Sequence, residues 1–196
     1  MGEPTDIENQ AITRLDSFSN AGFAHGPLVT RVLWVLFSGA FFQTWFPWPS
    51  SLKRGLLRLF GARIGSGVVI KPRVTIKYPW KLHIGNHVWI GENAWIDNLD
   101  QVTIGSHVCI SQGALLLCGN HNYKLPSFDL ITRPIVLEDG VWIGAEARVA
   151  PGVTCYSHSV LSMGSVATKD LNAWEIYQGV PATSKKPRTL SKANTP

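Results

Sequence analysis

The chain of 196 residues is poor in charge: Asp, Glu, Lys and Arg together make up 16% of it. So few ionic side chains cannot cover many solvent-facing helices, and 18 glycines and 12 prolines favour a turn-rich β protein instead. Cysteine is scarcer still. Cys109, Cys118 and Cys155 are odd in number and lack CxxC spacing, which excludes a disulfide framework and a cysteine-based zinc site and fits a reducing compartment. The N-terminus, MGEPTDIENQ, carries acids where a secretory signal carries bases, so a cytoplasmic location is expected. The net charge of +5 is modest, its basic residues are scattered, and no stacking platform accompanies them, so nucleic acid is not an expected partner.

Long apolar runs are also rare. The one candidate is LVTRVLWVLFSGAFFQTWF, Leu28 to Phe46, which has the length of a membrane span but contains Arg31 and Gln43. Three readings stay open for residues 28–46, in this order: packing against the domain or a neighbouring subunit, peripheral contact with a membrane surface, and a true span. At 45% hydrophobic, the remainder has enough apolar residues for one well-buried core.

What the sequence does have is a repeat. Aliphatic residues recur every six positions at Ile64, Ile70 and Ile76, then after eight at Ile84, then every six at Ile90 and Ile96, and after another eight at Ile104, Ile110 and Leu116. Four positions after each aliphatic stands a second small or aliphatic residue, as at Val68, Val74, Val88, Ala94, Val108 and Ala114. Three such units plus two extra residues make a cycle of twenty, which predicts an all-β solenoid of triangular section with the aliphatics inward and the small residues at tight corners. LHIGNHVWIG, VTIGSHVCIS and IVLEDGVWIG, starting at Leu82, Val102 and Ile135, are one position on successive coils; their spacings of 20 and 33 mean that one coil carries 13 added residues. The repeat resumes at Leu137, Ile143, Val149, Cys155, Leu161 and Ala167 and ends near Asp170. The chain thus divides into an extension of residues 1–61 whose SLKRGLLRLF segment reads as a helix capping the first coil and stopping at Gly61, a solenoid of residues 62–184 with a loop at 117–134, and a tail of residues 185–196 that looks mobile.

The long loop is where chemistry is expected, because loops on rigid scaffolds concentrate functional residues. His121 stands at its root, where the preceding coil fixes the backbone, and Tyr123, Pro126 and Phe128 follow it. An ordinary surface histidine is the competing reading.

The repeats from Arg63 to Asp170, the loop GNHNYKLPSFDLITRPI and the ending GSVATKDLNAWEIYQGVPA resemble the hexapeptide-repeat acetyltransferases, and among them the sugar O-acetyltransferases of colanic acid biosynthesis; YPWKLHIG, NLDQVTIGS and RLFGARIG extend the resemblance over roughly residues 50 to 182. It implies a left-handed parallel β-helix, a homotrimer with active sites between subunits, acetyl-CoA as co-substrate, and transfer of an acetyl group to a saccharide hydroxyl in exopolysaccharide or related glycan synthesis. Left-handed winding is carried over from the family, since crossovers between parallel strands are ordinarily right-handed. A hydroxyl is a poor nucleophile at neutral pH, and a neutral imidazole, with a free pKa of about 6.5, suits removal of its proton, so His121 is the expected general base with no covalent intermediate. By family position the backbone N–H of Ala145 meets the oxyanion, Met163 lines the pantetheine slot, and Thr168 and Lys169 lie near the nucleotide. Lys186 is a candidate phosphate contact, and Trp142 a candidate wall of the slot. Asn98 and Asp100, in IDNLD, stand at the corner before the His121 coil and are candidates for sugar hydroxyls, although Asn and Asp also favour such corners for their turn chemistry.

Rival readings are distinguishable. A zinc enzyme on the same scaffold draws on His83, His87 and His107, of which the last two are 20 apart and stack on adjacent coils, but the loop has no HxxxxH pair and corner histidines are more simply turn residues, so no metal is expected. Cys118, three residues before His121, invites a cysteine nucleophile but suits inward packing. An enzyme acetylating chloramphenicol- or streptogramin-type alcohols shares base and donor. A non-catalytic scaffold gives the 13 added residues no purpose. The hydrophobic N-terminal region suits work on a lipid-linked saccharide at the inner membrane surface.

Overall fold

A computed structural model describes residues 11–20 and 22–191. Strands of two or three residues wind round a three-sided prism. The first face is built from Arg63–Ile64, Leu82–Ile84, Val102–Ile104, Ile135–Leu137 and Thr154–Cys155, all parallel and in register. The second and third faces repeat the pattern, and their pairing gives the coil lengths directly. Val69 pairs with Trp89, Trp89 with Cys109, Cys109 with Trp142 and Trp142 with Val160, so successive coils advance by 20, 20, 33 and 18 residues. The 13 added residues and the loss of the two-residue extras after them are both visible in these registers.

The six-residue period places one side chain per strand on the prism axis. Ile64, Ile84, Ile104, Leu137 and Cys155 form a ladder inside the first face; Ile70, Ile90, Ile110, Ile143 and Leu161 do so inside the second; Ile76, Ile96, Leu116, Val149 and Ala167 inside the third. All are buried. The residue before each corner aliphatic takes the left-handed conformation, with φ of +55° at His87, +58° at Asn93 and +59° at His107. That accounts for the stacked histidines: His87 and His107 are exposed corner residues one coil apart, their ring centroids 5.3 Å from each other.

The ends need separate treatment, because a parallel edge strand leaves its carbonyls without partners. Helix α1, Leu28–Phe41, and helix α2, Ser50–Leu59, close the first coil. From α2, Lys53 donates to Ile70 O and Lys71 O, Arg54 to Val68 O, and Arg58 to Ile64 O and Gly65 O; from α1, Trp34 Nε1–H donates to Ile76 O at 2.8 Å. Gly61, at φ +92°, turns the chain from α2 into the prism, as its place in the sequence implied. At the other end Glu175–Gly179 adds a parallel strand to the second face, with Tyr177 continuing its inner ladder.

The first residues of the tail expected to be mobile from residue 185 are held in place. Ala182–Pro187 is an antiparallel strand on Glu175–Gly179, and Arg188 clamps it by donating to Gly140 O at 2.8 Å and His158 O at 3.0 Å. A local reading of KKPR as a basic, Pro-containing tail misses this because the carbonyl partners lie 30 and 48 residues away.

Candidate active site

The two-residue extras and the long insertion all fall on the edge where the third face turns into the first. On the first coil this edge carries Tyr78, Trp80 and Lys81, on the second Asp97 to Asp100, and on the third the segment leading to His121. The insertion is a hairpin, Gly119–His121 pairing antiparallel with Leu130–Thr132, so His121 is held by a strand as well as by the coil behind it. Its ring stacks on Phe128, with centroids 4.5 Å apart and planes 10° from parallel, and Phe18 of the N-terminal segment tilts over it at 5.9 Å. Nδ1 lies 2.8 Å from the carbonyl oxygen of Phe128. Phe128 has φ +53°, an unfavourable value for a bulky side chain, and that conformation accompanies the aim of its carbonyl at the ring. A carbonyl only accepts, so Nδ1 must carry the proton and the lone pair of the neutral ring sits on Nε2. Phe18 and the carbonyl of Phe128 were not legible beforehand, since both reach the histidine through tertiary packing.

Asn98 does not face a ligand. It is fully buried; its Oδ1 accepts from the N–H groups of Lys77 and Tyr78, and its Nδ2 donates to the carbonyls of Tyr78 and Lys81. Every hydrogen-bonding position of the amide is taken by backbone, so the sugar contact expected of it is replaced by the competing turn role. Asp100 is half-buried, with Oδ1 accepting from the N–H of Gln101 at 2.7 Å. Asp97, not singled out from the sequence, is buried beneath the hairpin: its Oδ1 lies 2.9 Å from Lys77 Nζ in an ion pair too poorly aligned for a hydrogen bond, and its Oδ2 points toward Gly119. Lys81 donates to Leu99 O at 2.6 Å and stands over the ring of Phe23, and burial pushes its ammonium below the usual lysine range.

A second feature occupies the second face. A cavity of about 680 Å³ runs along the upper coils, lined by Trp142, Ala145 and Met163 together with Ser162, Ile176 and Leu190. Trp142 is fixed as its wall by an Nε1–H bond to Ser111 Oγ at 3.0 Å. Below it lies a shallower groove of about 360 Å³ with Trp89, Lys71 and Glu92, and the two share Ser111 and Gln112. Three of the expected coenzyme residues thus come together. Thr168 and Lys169 are exposed at the next corner, outside the lining, and Lys186 lies on the terminal strand opposite Ile176. Ile176 and Leu190 were missed because they reach the cavity only through the cap that closes the prism, whereas Ser162 stands on the last regular coil beside Met163.

The cavity and His121 do not meet within one chain. The hairpin leaves the edge between the third and first faces, which is the corner opposite the second face.

Cys118 packs inward, and burial raises its thiol to about 11; Cys155, deeper still, is raised further. With a pKa near 11 only about one thiol in ten thousand is thiolate at pH 7, which argues against Cys118 as a nucleophile. Iodoacetamide at pH 7.5 on the native protein is therefore expected to modify half-buried Cys109 and spare the other two, and Cys118→Ala to retain turnover. Rapid labelling of Cys118, or loss of activity in that variant, would reverse the assignment.

No protein-family profile matches the chain. Individual relatives do. The protein named colanic acid biosynthesis acetyltransferase WcaF from Escherichia coli is 39% identical over 165 residues, covering 82% of this chain and 88% of its own. Galactoside O-acetyltransferase from Escherichia coli is 30% identical over 138 residues, 68% of each chain. Among solved structures, a hexapeptide-repeat acetyltransferase from Vibrio cholerae superimposes with a TM-score of 0.74 over 82% of this chain and 92% of that one at 24% identity. With the repeat, the left-handed β-helix it builds and a relative matched over most of both lengths, the chain belongs to the hexapeptide-repeat acetyltransferases, the family that includes the colanic acid biosynthesis enzyme.

Proposed function

We propose that the protein is an acetyl-CoA-dependent O-acetyltransferase that acts on a saccharide hydroxyl in exopolysaccharide or related glycan synthesis. The observation that carries this reading is the two-part groove on the second face, whose apolar upper lobe suits a pantetheine arm and whose lower lobe offers Trp89 as a stacking surface with Lys71, Glu92 and Gln112 as hydrogen-bonding groups. A related structure, galactoside acetyltransferase, has been solved in complex with coenzyme A. Thr168, Lys169 and Lys186 remain candidates for the nucleotide end, and Asp100 for the acceptor.

In this reading His121 acts from a neighbouring subunit. Because its own chain sets it opposite the cavity, the site is complete only when the hairpin edge of one copy faces the groove of the next, which a homotrimer supplies at three equivalent interfaces. The acceptor oxygen attacks the thioester carbonyl while its proton passes to Nε2 of His121. The N–H of Ala145 meets the oxyanion. Collapse of the intermediate breaks the C–S bond and the imidazolium proton goes to sulfur, leaving an acetyl ester and free coenzyme A with no bond to the enzyme.

Thiol release from acetyl-CoA, measured across nucleotide sugars, free oligosaccharides, lipid-linked saccharides and chloramphenicol, tests the reading. At least one saccharide is expected to turn over at least tenfold faster than chloramphenicol. Turnover of chloramphenicol alone would favour the xenobiotic alternative, whose relative, chloramphenicol acetyltransferase of Klebsiella aerogenes, matches 47% of the chain. No turnover of any alcohol, with no binding of acetyl-CoA, would leave a scaffold.

A further inference from the structure

The N-terminal end of the prism has a surface that the acyl-transfer chemistry does not use. The outer side of α1 presents Leu28, Val29, Val32, Leu33, Val35 and Leu36, each between 43% and 70% exposed. Its inner side is spent on the prism through Trp34 and Ser38. Trp45 and Phe46, at 67% and 57% exposed, continue the apolar surface beyond the helix. A patch of this kind marks an interaction surface.

Its surroundings identify the partner. Of the 18 Lys and Arg residues, nine fall between Asp16 and Glu92, a stretch in which none of the 13 Asp and Glu residues stands. Lys53, Arg54 and Arg58 bond backbone carbonyls rather than acids, and the one ion pair formed by the nine among the described residues joins Lys77 to Asp97 on the next coil. Arg73 places its guanidinium 4.3 Å from the ring of exposed Trp45, setting a cation at the rim of the apolar surface. A second copy docking through this same face would press cation against cation. An anionic surface with an apolar interior is complementary on both counts.

We propose that this end of the molecule docks on an anionic lipid bilayer, with α1 lying in the plane of the interface. The helix is 14 residues, about 21 Å at 1.5 Å per residue, and no helix among the described residues is long and apolar enough to cross a membrane. A short helix that turns an apolar side outward, with exposed aromatics just beyond its end and a cation at the rim, suits an interfacial position rather than a span. The β-helix axis then stands away from the bilayer. His121 leaves the third coil, two coil spacings or about 10 Å above the first, within reach of a sugar held on a lipid headgroup. That last step rests on the acyl-transfer reading; the docking itself does not. Copies arranged in parallel would present their caps at one end, so that weak single contacts add.

The test is flotation of the full-length protein with vesicles of phosphatidylcholine, alone or with phosphatidylglycerol at about one third. Binding to the anionic vesicles is expected to be at least tenfold tighter than to the neutral ones, to weaken with salt, and to fall at least tenfold in Leu33→Glu/Leu36→Glu, while that variant keeps the oligomeric state and the turnover of a soluble saccharide. The proposal is overturned if the wild type stays unbound with phosphatidylglycerol, if the double variant binds as well as the wild type, or if the double variant changes the oligomeric state, which would make the face a contact between copies. Vesicle binding by a protein that acetylates no saccharide would refute the acyl-transfer reading and leave the docking in place.

Discussion

Replacing His121 by alanine is expected to lower kcat for acetyl transfer by about 10²–10⁴-fold, the range that a positioned general base supplies. The KM for acetyl-CoA should change little, because in this reading the cavity that takes the coenzyme belongs to the neighbouring copy. The fold should survive, since the ring stands on a hairpin outside the prism and the inner ladders do not touch it. A conservative exchange sharpens the test. His121→Gln keeps a polar side chain but no imidazole nitrogen to receive the proton, so it should be as slow as alanine. Unchanged circular dichroism and oligomeric state must accompany the loss. A rate within a few-fold of wild type in either variant would sink the assignment, and with it the reason given for the position of the Phe128 carbonyl.

A second large effect is expected from mixing two inactive proteins. His121→Ala removes the base; Ala145→Phe fills the cavity beside Trp142 and Met163 and should abolish coenzyme binding. Each variant on its own should be nearly inert. If the base of one copy serves the cavity of its neighbour, unfolding the two together and refolding them in equal amounts should restore activity. Random assembly gives each interface one chance in two of an intact base and one in two of an intact cavity, hence about a quarter of the wild-type rate. Were both groups required from the same chain, no mixture would recover. The contrast between about a quarter and nothing is large enough to read in a crude assay.

The prism was legible in the sequence because its cause is local. One inward aliphatic every six residues and a corner residue before each small one recur without reference to distant contacts, so Ile64 and Leu161 are recognisable from their neighbours alone. The hairpin rooted at His121 was legible for the opposite reason, as the one interruption of the repeat. What could not be read depends on partners far along the chain. The amide of Asn98 looks like any exposed corner group until Tyr78 and Lys81 close around it from the preceding coil. Phe18 lies over His121 across more than a hundred residues. Arg188 reads as part of a loose basic tail, and only the stacking of the last coils brings Gly140 and His158 to it.

The edge between the third and first faces admits two extra residues on two coils and a whole hairpin on another, yet the strands on either side stay in register throughout. Lengthening the chain there disturbs no inward ladder, whereas one residue inserted elsewhere would shift every later rung. The molecule therefore has a built-in division between what can drift and what cannot. If the acceptor is taken at the tolerant edge and the thioester on the intolerant face, as proposed, new alcohols can be sampled by changes in one corner while the thioester pocket is inherited intact.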